Sequence, residues 1–248
     1  MLPKSKWITV FNKPAQVKNR LFCFPYAGGS AQTFRNWVDL VPETTQLCAL
    51  QMPGRSSRFT EPLLTHIDQV LDKVKVEIKP FLDKPFVFFG HSMGAAVSYE
   101  LSRILQDQGL KVSHLFVSGR SSPDRPSERE QIHGLPEPEF RAKMKDLNGT
   151  PPEILEHEEL MELMVPIVRA DFTISETYKQ HSGSQLTCPL TAFGGTDDDD
   201  IPEENMASWL DFSDGPTEYH MYEGDHFFLN PYREDIVRRI SEVLNRLG

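Results

Sequence analysis

The chain has 248 residues, 39% of them apolar and 25% charged, enough to bury one sizeable core without disulfide or metal staples. Its formal net charge of −10 argues against nucleic acid, whose affinity rests on phosphate neutralisation, and against adhesion to an anionic membrane. The N-terminal stretch MLPKSKWITVFNKPAQ lacks the h-region of a signal peptide, and no apolar run approaches the roughly 20 residues of a spanning helix, so a soluble, cytoplasmic protein is expected.

In chain order, residues 21–25 (LFCFP) read as a short buried strand that ends in Tyr-Ala-Gly-Gly-Ser. A helical pattern through Phe34, Trp37, Val38 and Val41 comes after it, then a strand at 47–52 (LCALQM) stopped by Pro53-Gly54. Residues 67–78 repeat apolar positions at helical period. A strand at 86–89, a helix at 93–108 and a strand at 115–118 come next. Strands return at 190–193 and 218–222, and Asn230-Pro231 reads as the cap and first turn of a final helix. That helix carries one apolar stripe through 236, 237, 240, 243, 244 and 247. Alternating strands and helices imply a single α/β domain with a mostly parallel central sheet covered by helices on both faces. From about 121 to 184 the alternation stops. The segment opens with SSPDRPSERE and continues as helical pieces at 137–147, Pro152–Leu155 and 158–178. It reads as a helical insertion between two strands, placed where a lid would lie. Cys23, Cys48 and Cys188 sit in apolar, strand-like runs and form no CxxC pair, which reads as buried free thiols in a reducing compartment.

The strand at 86–89 runs into Gly90-His91-Ser92-Met93-Gly94, with Ala95 and Ala96 behind it. A serine between two glycines, where a buried strand becomes a helix, is the setting of a nucleophile elbow. The plainer reading is a glycine-rich helix start with Ser92 as N-cap. A hydroxyl nucleophile needs a base, and His226, in EGDHFF after the last strand, has the right place for one. His91 is inside the elbow and points elsewhere. His133, His157 and His181 fall in the insertion, and His66, His114 and His220 read as structural. An acid must orient the imidazole. The run Asp197-Asp198-Asp199-Asp200 comes after the 190–193 strand, and Asp200 reads as a capping box with Glu203. Residue chemistry alone leaves Asp197, Asp198 and Asp199 open. For the oxyanion, the backbone N–H groups of Met93 and of Ala27, in the loop after the first strand, are the expected donors. Gly28-Gly29 in that loop has neither the GxGxxG nor the GxxxxGK[ST] spacing of a phosphate cradle.

At near full length the sequence resembles the type II thioesterases, the stand-alone editing enzymes of nonribosomal peptide and polyketide assembly lines, in the α/β-hydrolase superfamily. The resemblance is carried by FPYAGGSAQTFRNW (24–37), MPGR (52–55), GHSMGA (90–95) and EGDHFF (223–228). In the insertion, GTPPEIL (149–155), LMELMVPIVRADF (160–172) and ETY (176–178) look like the lid of this family. The resemblance implies Ser92 as nucleophile and His226 as base. It implies Asp198 as the acid, through a G-x-x-D pattern counted from Gly195. Two departures stand out: Asp199 where some members have Pro, and Tyr26 where many have His.

The reaction implied by the resemblance is hydrolysis of acyl or aminoacyl thioesters on the phosphopantetheine arm of acyl or peptidyl carrier proteins, by a monomer, without metal or organic cofactor. Leu160, Met161, Leu163, Met164, Ile167 and Val168 would pack the lid and meet varied acyl groups. Arg120, Arg125, Arg129, Arg141 and Lys143 are candidates for a local basic docking patch on an otherwise acidic chain. The competing readings are a medium-chain fatty acyl thioesterase or carboxylesterase, and a catalytically silent carrier-binding scaffold.

Overall fold

The computed structural model describes residues 4–125, 129–147, 149 and 152–247. Its centre is a seven-stranded sheet of β1 (Ile8–Val10), β2 (Asn19–Phe24), β3 (Thr45–Leu50), β4 (Phe86–His91), β5 (His114–Ser118), β6 (Leu190–Gly195) and β7 (Thr217–Tyr222). The order is β1-β3-β2-β4-β5-β6-β7; β1 runs antiparallel to β3 and every other pairing is parallel. Strands β2 to β6 are buried at every position, which is why they read as continuous apolar runs and not as alternating ones.

The helices are α1 (Ile67–Glu77), α2 (Met93–Asp107), α3 (Glu137–Asp146), α4 (Pro152–Leu155), α5 (Glu158–Thr177), α6 (Glu203–Ala207) and α7 (Arg233–Arg246). Successive strand residues point to opposite faces, and the two faces have separate cores. Phe22, Phe24 and Phe88 pack with Val70, Val74 and Leu101 of α1 and α2. Leu21, Cys23, Val87 and Phe89 pack with Phe34 and Trp37 and with Ile236, Val237, Ile240 and Leu244 of α7. Helices α3 to α5 lie between β5 and β6 in the chain and have a third core of their own: Ile132, Phe140, Met144, Met161, Val165 and Val168. Pro126, Ser127 and Glu128 of the polar opening, and Thr150 and Pro151 of GTPPEIL, lie outside the described residues.

Several local expectations are corrected. Strand β1 has no counterpart among the expected elements; it is three residues long, at the sheet edge, and only Ile8 is buried. The segment after β2 is a 3-10 helix, Ala31–Trp37, capped by the Ser30 side chain. Helix α7 begins at Arg233 with Tyr232 as N-cap, because turns closed by Phe228 N–H on Asp225 and Asn230 N–H on Phe227 occupy the Asn230-Pro231 stretch. Asp200 forms no capping box: α6 has Pro202 at its N-cap with no side-chain bond, and Asp200 pairs with Arg129 at 2.8 Å. The three thiols are buried and free, although Cys188 precedes β6 and does not lie within it. Among the described residues no helix is long and apolar enough to cross a membrane.

Candidate active site

Strand β4 ends at His91, and α2 starts at Met93. Between them Ser92 has φ 56° and ψ −117°, a conformation that non-glycine residues adopt only where the surroundings enforce it. The flanking glycines explain how. A Cβ on Gly94 would lie 2.0 Å from the carbonyl oxygen of Phe24, and one on Gly90 would lie 2.2 Å from that of Gly94. No side chain fits either place, so the β2 end, the β4 end and the α2 start can close on one another. The turn is also pinned by Ser92 N–H donating to Ser118 O at 2.7 Å.

His226 lies after β7 in the Asp225–Phe228 turn. Its Nδ1 lies 2.6 Å from Asp198 Oδ2. Asp198 is buried, while Asp197 and Asp199 are exposed, and Asp197 Oδ1 accepts from Thr196. With Nδ1–H donating to the carboxylate, Nε2 is left to take a proton. His91 lies beneath: its ring centroid is 5.1 Å from that of His226, and its Nδ1 is 2.8 Å from Ser118 Oγ. Burial, the largest cause, and the neighbouring His226 hold the His91 pKa well below 6.5, so it stays neutral and adds no second cation beside His226.

Ser92, His226, Ala27 and Tyr26 line one chamber of about 560 Å³. Met93 is buried at the start of α2, immediately after the serine. Met144, Met164, Val168, Phe172 and Phe227 contribute apolar groups to the chamber wall, and Ser121, Ser122, Gln131 and Ser175 contribute polar ones. The inserted segment therefore supplies much of the wall. Of its apolar residues, Met161, Ile167 and Val168 are buried, whereas Leu160 and Leu163 are exposed. Arg120 is a chamber wall, held by Ser175 Oγ and O and lying over the Tyr178 ring. Arg141 pairs with Glu137 and Glu158, and Lys143 with Glu130. Among the described residues no group of three or more His, Cys, Asp or Glu could hold a metal ion. Ser118 is a site residue that the sequence does not reveal; nothing in its local pattern marks a residue that touches both Ser92 and His91.

The sequence matches the thioesterase domain family over residues 19–244. The chain belongs to the thioesterase family. It is a thioester hydrolase of the α/β-hydrolase type, similar throughout to the type II thioesterases. It is 38% identical to the gramicidin S biosynthesis protein GrsT of Aneurinibacillus migulanus, covering 97% of this chain and 94% of that one. It is 41% identical to the linear gramicidin dehydrogenase LgrE of Brevibacillus parabrevis, over 97% of this chain and 93% of the relative. Despite that relative's name, the present chain has no GxGxxG dinucleotide fingerprint. Among solved structures, the type II thioesterase BorB of the borrelidin biosynthetic cluster superposes with a TM-score of 0.90 at 32% identity, covering 96% of this chain and 97% of that one.

Proposed function

We propose that this thioesterase removes acyl and aminoacyl groups from the phosphopantetheine arms of carrier proteins in nonribosomal peptide or polyketide synthesis, with Ser92, His226 and Asp198 as its catalytic residues. Ser92 Oγ attacks the thioester carbonyl while His226 Nε2 takes its proton. The backbone N–H groups of Ala27 and Met93 stabilise the oxyanion, and Asp198 holds the imidazole and balances its charge. The C–S bond breaks, His226 returns the proton to the pantetheine thiol, and an acyl-serine remains. Water, deprotonated by His226, then releases the acid and restores Ser92.

The observation that carries this reading is the strained Ser92 opening onto the same chamber as a histidine hydrogen-bonded to a buried carboxylate. The mixed lining suits a varied set of short acyl and aminoacyl groups: methionines adapt to apolar chains, and serines and the carboxylates of Glu130, Glu176 and Asp200 can meet an amine. Carrier protein is the implied partner.

The test is hydrolysis of acetyl- and aminoacyl-loaded carrier proteins by the wild type and by Ser92→Ala. Rapid release by the wild type, reduced on the order of 10⁴- to 10⁶-fold in the variant, is expected. Release that survives in Ser92→Ala would overturn the mechanism. Turnover of simple oxygen esters without release from either carrier would favour the esterase reading.

A further inference from the structure

A buried ion pair outside the Ser92–His226–Asp198 group joins three segments that are remote in sequence. Arg55 closes the MPGR stretch after β3, and Asp171 belongs to α5 of the insertion. Their side chains are 7% and 1% exposed. The pairing is a fork: Arg55 Nη2 donates to Asp171 Oδ1 at 2.8 Å, and Nη1 donates to Oδ2. Both partners then reach the 26–30 loop. Arg55 Nη1 donates to Gly29 O at 3.1 Å, and Gly28 N–H donates to Asp171 Oδ2 at 2.7 Å. A further bond, Arg55 Nε to Pro53 O at 3.2 Å, fixes the guanidinium on its own side.

The two anchored groups belong to the residues directly after Ala27. Gly28 has φ +78°, and a Cβ there would meet Val168 Cγ2 of α5 at 3.0 Å. Two consecutive glycines give this loop wide conformational freedom, yet an oxyanion donor acts only when preorganised. Gly29 N–H closes a turn on Tyr26 O at 2.9 Å, and the buried charge-assisted fork adds a constraint from outside the loop.

We propose that Arg55 and Asp171 are positioning residues: they hold the 26–30 loop so that Ala27 N–H faces the developing oxyanion, which makes α5 of the insertion a working part of the reaction. This rests on the reading of Ser92 as nucleophile and Ala27 as donor. It also gives a role to Arg55 of MPGR and Asp171 of VRADF, which take no part in the chemistry described above.

The experiment compares the wild type, Ser92→Ala, Asp171→Asn and the double variant Arg55→Met/Asp171→Leu. It measures kcat and KM on an acyl N-acetylcysteamine thioester, the Ki of an acyl trifluoromethyl ketone, and the thermal midpoint. The ketone forms a tetrahedral adduct with a serine and so reads the oxyanion site directly. Replacing a buried pair with apolar residues of similar volume tends to preserve the fold, so the double variant should melt close to the wild type. Its kcat should fall about 10- to 100-fold with KM within about threefold, and its affinity for the ketone should fall by the same factor as kcat/KM. Asp171→Asn keeps an acceptor for Gly28 and should lose less, about 10-fold, in the same two quantities. Unchanged kcat and ketone affinity in a folded double variant would overturn the proposal. So would a raised KM with kcat retained, which would assign the pair to shaping the chamber. Should the double variant not fold, Asp171→Asn decides on the same criteria. Full activity in Ser92→Ala would instead retire the nucleophile reading, a result separate from the behaviour of Asp171.

Discussion

Ser92 carries a backbone conformation that costs about 1–3 kcal/mol, and Gly90 and Gly94 are what allow the surroundings to impose it. At this scale the acid is the sharpest question. Three adjacent aspartates have the same chemistry, but only Asp198 is both buried and within 2.6 Å of His226. Asp198→Asn should lower kcat on the order of 10³- to 10⁴-fold, because the amide no longer favours the working tautomer. Asp197→Asn and Asp199→Asn, at exposed positions, should stay within about threefold of wild type. Steady-state kinetics on one thioester decides among the three; equal losses at Asp197 would refute the assignment.

Several contacts tie the inserted helices to the rest of the molecule. Besides the Arg55–Asp171 fork, Tyr178 Oη donates to Glu100 Oε1 at 2.7 Å, and Arg103 Nη1 donates to His181 O at 2.7 Å, joining the end of the insertion to α2. Helix α3 and the first part of α5 share a small core of their own, in which Phe140 is fully buried and lies under Arg169, whereas Ile174 further along α5 joins the main core. A small satellite core is the part of a molecule that opens first. Phe140→Ala, a change that typically removes about 3–5 kcal/mol from a core, should therefore loosen this segment before the sheet. Tryptic cleavage near Arg141, Lys143 and Lys145 should accelerate about 10-fold or more while the main unfolding transition moves little. A single shifted transition with no local cleavage would show that the insertion and the sheet unfold together.

For the whole molecule, pH acts through histidines that the fold keeps neutral. Burial, outweighing the opposing pull of Glu218, pushes the His114 pKa down to about 4, and His91 is lowered for the same reason. The unfolded chain takes up protons below about pH 6.5 that these buried rings refuse, so the unfolded state binds more protons as pH falls. The stability is present above about 6.5 and is lost as pH drops toward 4. Urea unfolding at pH 7, 6, 5 and 4 should show this loss, and His114→Asn should reduce the slope in that window by up to about 1.4 kcal/mol per pH unit. An unchanged slope would mean that His114 takes up its proton in the folded state. The thiols obey the same physics: burial raises Cys48 to about 12 and Cys188 to about 11, so neither offers thiolate at neutral pH.

By itself the sequence determined the order of strands β2 to β7 and of the longer helices, because apolar runs and helical periods are properties of neighbours in the chain; the short edge strand β1 escaped it. It also marked the elbow at Ser92, since a glycine requirement at two fixed offsets is local, and it marked His226 by its place after the last strand. That helices and no strand come between β5 and β6 was readable for the same reason: from about residue 121 to 184 the sequence stops alternating. Other matters depended on partners that no local pattern names. Residue chemistry leaves three aspartates open, and choosing among them requires either family resemblance or the position of a ring 28 residues away. Asp200 has the local pattern of a cap, but Arg129, on another segment, takes its carboxylate. Arg120 has the local pattern of a surface residue, but the assembled chamber makes it a wall. Arg55 and Asp171 are 116 residues apart, and their pairing exists only once β3, the 26–30 loop and α5 converge. Such contacts are set by burial and charge in three dimensions, so only the tertiary structure decided them.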